Sequence, residues 1–345
     1  MKRSLLPWRA AGIAAFLFFG ALVTAARADD VAAFYSGKNI SVVIGFSAGG
    51  GYDLYARLLA RYMGKYIPGH PSLVPQNMPG AGTLKATQYI YEIAPKDGTV
   101  FGTFSRSMPL APLEGVQGAT FDARKFTWLG SMAKDVTLCV TSDASGVKAW
   151  SDALKTEFTL GGEGQGADPD IFANVLKTVF HAKAKLVTGY PGTADMILAV
   201  ERGELAGICG VSYSTVMGRW ADRLKQGQLH IIVQGGLEKH PALPDVPNML
   251  DLAPDQHEKI LMRLVLGPQA MARPFAAPPG VPADRAAALR DAFAAALKDP
   301  DLLAEAQKMQ IDIDLMSATQ IESLLDEFYQ APKEVTAEAA KISGL

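Results

Sequence analysis

The sequence predicts an α/β fold divided between two domains, on three observations. Short β-branched runs alternate with segments of helical period, the pattern of βαβ units on a parallel sheet. Glycine-rich bends fall where such runs pass into helices, at 49–51, 80–82, 161–166 and 189–192. The chain has 345 residues, long enough for two domains, each with a core of its own.

The first 28 residues read as an export leader. Lys2, Arg3 and Arg9 give a basic start, Ile13–Val23 is apolar, and Ala26-Arg27-Ala28 supplies a small-residue cleavage pattern before Asp29. The apolar stretch is short for a membrane span, so cleavage after Ala28 is expected over a retained anchor. Removing the leader takes four basic residues and no acidic one from a net charge of −2, which leaves 317 residues at −6. That mild acidity argues against a nucleic-acid partner. No later apolar run approaches spanning length.

In chain order, Val31–Tyr35 is a helical lead-in and Ile40–Gly45 the first strand. A helix is expected over Tyr52–Tyr66, with Leu54, Leu58 and Tyr62 as a stripe at spacing four and Tyr55, Leu59 and Met63 beside it. Ser72–Gln76 is a strand, Thr83–Ile93 a helix and Val100–Phe104 a third strand. Phe126–Val140 is extended and apolar enough to carry the chain between domains. Trp150–Leu154 then starts a helix and Phe158–Leu160 is a strand. The next helix is capped by Asp168, with Pro169 in its first turn and Ile171, Val175 and Val179 buried. Lys185–Thr188, Leu205–Cys209 and Leu229–Val233 are strands, and Thr193–Glu201 is a helix. Helices at Asp284–Leu297, Pro300–Met309 and Ile321–Phe328 close the chain.

The bend after the first strand carries two chemical readings. Gly49, Gly50 and Gly51 open a helix whose unpaired N–H groups and dipole favour an anion, a carboxylate or phosphate. Gly45-Phe-Ser-Ala-Gly49 also matches the G-x-S-x-G elbow of a serine hydrolase, with Ser47 as nucleophile. Against the elbow, Ser47 follows the first strand of the exported chain and leaves no room upstream for an oxyanion loop. The five histidines show no triad context. The middle glycines, spaced G-x-G-x-G, do not make a dinucleotide loop, and neither cofactor nor metal is expected. Asp53 either caps its helix or touches the ligand; as a bare carboxylate it would repel an anion and would there orient a water or fix the loop. Arg106, after the third strand, can pair with an acid or lie at the surface. Cys139 and Cys209 stand in strand-like contexts, and the sequence leaves open whether they are bridged or are buried thiols.

An ordered series gathers these pieces: Gly49-Gly-Gly-Tyr-Asp53, Asn77-Met-Pro-Gly-Ala-Gly82, Ala94-Pro-Lys-Asp-Gly-Thr99, Thr188-Gly-Tyr-Pro-Gly192, Glu201-Arg-Gly-Glu204 and Pro241-Ala-Leu-Pro-Asp-Val-Pro247. The series resembles the extracytoplasmic solute receptors of tripartite tricarboxylate transporters, the TctC or Bug family, over essentially the whole exported chain. The resemblance implies a type II periplasmic-binding-protein fold, a two-lobed Venus flytrap with a ligand cleft between lobes. It implies a monomeric, non-enzymatic periplasmic protein that delivers a small organic acid to membrane transporter subunits. The lobes follow as 29–130 and 235–345 for the first and 131–234 for the second. Main-chain N–H groups of the glycine bends would hold a carboxylate. The residues implied are Phe46, Ser47, Ala48, Gly49, Gly50, Gly51, Tyr52 and Asp53 at the first bend. Gly80 and Ala81 at the second bend join Ser105 after the third strand. Gly162, Glu163, Gly166, Ala167 and Asp168 come from the third bend, Tyr190 and Gly192 from the fourth, and Gly210 follows the strand ending at Cys209. Two departures from the family pattern, Phe46-Ser-Ala and Gly210, alter the pocket wall.

Overall fold

The computed structural model describes residues 30–343 except Ser47, Gly50, Gln165, Gly166, Pro191, Gly192 and Gln310. The leader and its cleavage site lie outside the described residues, as do Ser47, Gly50, Gly166 and Gly192 of the expected site. Two sheets carry the fold. The first has the order β2-β1-β3-β10-β4-β11, from β1 (Asn39–Ile44), β2 (Ser72–Asn77), β3 (Val100–Thr103), β4 (Thr127–Ser131), β10 (Pro274–Ala277) and β11 (Met316–Ser317). The second has the order β7-β6-β8-β5-β9, from β5 (Thr137–Ser142), β6 (Phe158–Gly161), β7 (Ala184–Val187), β8 (Gly207–Ser212) and β9 (Leu229–Gly235).

Both sheets are mixed, where the alternation predicted parallel ones. In the first, β1 pairs in parallel with β2 and β3, but β10 runs antiparallel to β3 and β4. In the second, β6 is parallel to β7 and β8, and β5 is antiparallel to β8 and β9. β5 follows β4 with no helix between them, and β10 is reached from β9 through helices over 249–252 and 256–270, so each enters its sheet from the other sheet and not by a crossover within one sheet. The extended stretch over 126–140 divides as expected into β4 and β5, one in each sheet. Cys139 and Cys209 face each other across β5 and β8 and form a disulfide that closes 70 residues of chain.

After a helical lead-in over 30–35, helix α1 (Gly51–Met63) buries Tyr55, Leu58, Leu59 and Met63, while Leu54 is 37% exposed. Its buried stripe is thus turned one residue from the expected one. Tyr55 belongs to it because its ring meets the sheet and its hydroxyl donates to the carbonyl of Asp312 at 2.8 Å. The helix expected over 83–93 is broken into α2 (Leu84–Gln88) and a wide turn over Tyr89–Ile93. Short α3 (Trp150–Ala153) is followed by α4 (Asp168–Thr178) and α5 (Thr193–Glu201). The residue before α4 is Ala167, so Asp168 is the first helical residue and not the cap. Ile171 is half-buried, and Phe172 and Leu176 join Val175 and Val179 inside.

Several helices were not anticipated: α6 (Tyr213–Lys225), short α7 (Met249–Leu252), α8 (Gln256–Ala270), and the last helix α12 (Lys333–Ser343). The expected closing helices are α9 (Ala283–Ala296), α10 (Pro300–Lys308) and α11 (Ala318–Tyr329). The cores do not divide cleanly between the sheets. One apolar cluster lies under α1, α9 and α10 on the first sheet, and another under α5 and α6 on the second. A third runs across both, from Val43, Phe104 and Trp128 to Phe158, Phe172 and Val175. Leu264 of α8, Phe328 of α11 and Ile342 of α12 are part of it. The expectation of a separate core for each domain is therefore corrected, because the C-terminal helices bridge the two.

Candidate functional site

The first and third glycine bends each fold around a carboxylate supplied by the chain itself. Asp53, with its side chain 3% exposed, accepts the Gly49 N–H at 2.8 Å, Asn77 Nδ2 at 2.8 Å and Arg57 Nε at 2.9 Å. Burial alone would raise its carboxyl, but the hydrogen bonds from Arg57, Gly49 and Asn77 outweigh it and hold the pKa at about 2. In the third bend, buried Asp170 accepts the N–H groups of Glu163 at 2.7 Å and Gly164 at 2.9 Å, and the Thr188 hydroxyl at 2.7 Å. A Cβ on Gly162 would stand 2.6 Å from that carboxylate, so only glycine lets the loop wrap it.

The second bend stores strain. Gly80, Ala81, Gly82 and Thr83 all have positive φ, at 144°, 48°, 58° and 82°. For a β-branched residue such a φ is an outlier worth roughly 1–3 kcal/mol. It is held because the Thr83 Oγ1 accepts the Ser105 N–H at 3.0 Å and the Thr83 carbonyl accepts the Thr87 hydroxyl at 2.9 Å. This ties the bend to the carboxyl end of β3.

Between the two sheets lies a cavity of about 690 Å³, within the range of small-ligand sites. Its polar centre is Arg106, whose side chain is 16% exposed. That guanidinium pairs with Asp168 at the start of α4 and lies 3.6 Å from Asp135 in the passage between β4 and β5. The acids more than offset its burial and keep it protonated, and burial raises Asp135 despite Arg106 and Arg273 nearby. The Arg106 N–H donates to Tyr52 Oη at 3.1 Å. The Tyr52 ring stacks on Phe46, with centroids 4.0 Å apart, and the Arg273 guanidinium lies 4.7 Å from its centre. Arg273 donates from Nη1 to the Ala272 carbonyl at 2.7 Å, and its buried Nε has no partner among the described residues. Gly210 makes room for this arrangement: at φ 75° a Cβ there would lie 2.5 Å from the Asp168 main chain.

Of the residues expected at the site, Phe46, Tyr52, Ala81, Ser105, Asp168 and Gly210 line this cavity. Ala48, Gly49, Gly51, Asp53, Gly80, Gly162, Glu163, Ala167 and Tyr190 are not part of its lining. They build the bends behind it; the Tyr190 N–H, for instance, donates to the Gly162 carbonyl at 3.0 Å. Sequence reading passed over Arg273 and Asp135 and left Arg106 undecided. The available signal for Arg106 was its place just past the carboxyl end of a strand, where open α/β sheets bind ligands.

No protein-family model matches the chain. A curated relative from Cupriavidus necator, a UPF0065 protein, is 25% identical over 252 residues, covering 70% of this chain and 72% of its own. A TctC solute-binding protein from Polaromonas superposes with a TM-score of 0.69 at 17% identity, covering 89% of this chain and 98% of that one. The fold is that of the TctC and Bug periplasmic binding proteins. A further structure of this fold, a Rhodopseudomonas palustris protein with adipate, has a TM-score of 0.60 at 17% identity, with 88% and 98% of the two chains covered. The resemblance drawn from the ordered glycine and proline series therefore agrees with the architecture. Among the described residues no helix is long and apolar enough to cross a membrane.

Proposed function

We propose that the protein is an exported solute receptor that captures a small organic acid and delivers it to membrane subunits of a tripartite tricarboxylate-type transporter, with no chemistry on the ligand. In this reading the leader is cleaved after Ala28, the first lobe comprises 29–130 and 235–345, and the second comprises 131–234. The observation that carries it is Arg106, a guanidinium sequestered between the sheets at the polar centre of a ligand-sized cavity. A ligand carboxylate takes the place of Asp168 on its planar fork, which suits two parallel hydrogen bonds. Arg273 and the hydroxyls of Ser105, Ser212 and Thr215 stand in the same lining for further contacts. The glycine bends serve by holding Tyr52, Ala81 and Asp168 at the cavity, since the donors at Gly49, Glu163 and Gly164 are engaged with Asp53 and Asp170. The adipate in a structure of the same fold supports an acid as the ligand class.

Thermal shift and calorimetry with a panel of mono-, di- and tricarboxylates test this. A binding acid at a hundred times its Kd stabilises the protein by about 2.7 kcal/mol, and Arg106→Gln abolishes the effect. Absence of stabilisation by every acid, or undiminished binding in R106Q, overturns the reading.

A further inference from the structure

Beyond the arginines the cavity runs to a second polar point, the carboxylate of Glu114. The walls on the way are apolar, formed by Met108, Leu110, Ile171, Phe172, Leu264 and Val265. Among the described residues the Glu114 carboxylate has one hydrogen-bond partner, the Ser343 hydroxyl, at a long 3.5 Å. Partial burial pushes its carboxyl up to about 7, since among the described residues no cationic side chain pairs with it to offset the lost solvation.

Helix α8 lines the cavity between the two polar points. Leu264 shares a small cleft with Glu114, whereas Gln269 belongs to the arginine end, where its carbonyl accepts the Asp135 N–H at 2.9 Å. Five residues of helix at 1.5 Å each make about 8 Å. An extended chain advances by about 1.2 Å per bond, so some six bonds run the length of that wall.

The groups along that wall ask for donors. The Gln269 side chain is buried and its Oε1 has no partner among the described residues. Pro268, inside the helix, has no N–H to give the carbonyl of Leu264 four residues earlier. The charged lining of the cavity is Arg106 and Arg273 against Glu114, Asp135 and Asp168, so acids are in excess before any ligand enters. A second ligand carboxylate at the far end would face Glu114, a like charge in an apolar channel.

We propose that the ligand is an ω-amino acid: a carboxylate on Arg106, an apolar body of about six bonds, and an amine received by Glu114. This rests on the carboxylate reading of the site and names the ligand class within it.

Isothermal calorimetry of the purified protein at pH 7.5 with 6-aminohexanoate, hexanoate and adipate tests it, because the three share a six-carbon chain and differ at one end. The expected result is that 6-aminohexanoate binds at least tenfold more tightly than either of the others. Glu114→Gln is expected to bring 6-aminohexanoate down to the level of hexanoate, a loss that a purely structural role for Glu114 would not confine to the amine. Adipate or hexanoate matching 6-aminohexanoate in the wild type overturns the inference while leaving the acid reading intact. An amine preference that survives in E114Q overturns the role of Glu114. If none of the three acids binds and the wider carboxylate panel also fails, the acid reading and the inference fall together; if only the panel binds, the inference alone falls. Should E114Q not fold, the wild-type series decides.

Discussion

Asp53→Asn is the sharpest test of how the first bend is held. The carboxyl rests at about 2 against a reference of 3.8, and each unit corresponds to 1.36 kcal/mol. The charged form therefore contributes about 2 kcal/mol to stability at neutral pH. The sign follows from the depressed pKa: the contribution is complete above pH 3.8 and is lost as pH falls towards 2. Asparagine keeps an acceptor for the Gly49 N–H but loses the charge facing Arg57. Urea unfolding of wild type and D53N is expected to differ by about 2 kcal/mol at pH 7, a midpoint shift on the order of 1 M. The difference should shrink as both are titrated from pH 4 to pH 2.5. A gap below 0.5 kcal/mol at pH 7, or one that does not change with acidification, would refute the argument that Asp53 is an internal anion for the bend.

Other expectations follow from the same structure. Replacing Cys139 and Cys209 together by serine opens a loop of 70 residues and should cost about 4 kcal/mol, read as a lowered urea midpoint. Gly267→Ala puts a methyl 1.9 Å from the Phe328 ring, so a loss of about 3 kcal/mol is expected by the same assay. Gly218→Ala, which meets nothing within 4 Å inside α6, should instead gain up to about 1 kcal/mol. Because Glu114 is raised from 4.5 to about 7, its contribution to stability is greatest below pH 4.5 and declines by about 3 kcal/mol as pH rises through 7. E114Q should flatten that part of the stability profile.

Much of the architecture was legible because it rests on local chemistry. β1 announces itself through Ile40, Val42, Val43 and Ile44, all buried, and the glycines after it mark the turn into α1. What escaped is set by partners distant in sequence. α6 reads weakly because Thr215, Val216 and Gly218 are poor helix formers, and its packing through Trp220 supplies what propensity lacks. α8 has a start signal in Asp255, which accepts the N–H groups of His257 and Glu258, but Gly267-Pro268 disguises its end. For the site, the glycine bends were visible and their internal anions were not. Nothing near Asp170 in sequence shows that it, and not a ligand, takes the N–H groups of Glu163 and Gly164. Arg273, before Pro274, looks like any surface arginine until β10 is seated between β3 and β4.

The apolar cluster that runs from one sheet to the other has a consequence for amide hydrogen exchange. Two lobes with private cores would open one at a time, and their slowest amides would report two different free energies. Here Trp128 and Val43 on one side share packing with Phe158 and Val175 on the other through Leu264, Phe328 and Ile342. Neither side can open fully without exposing the bridge, so the slowest amides of β1 and of β6 are expected to exchange with the same free energy, that of the molecule as a whole.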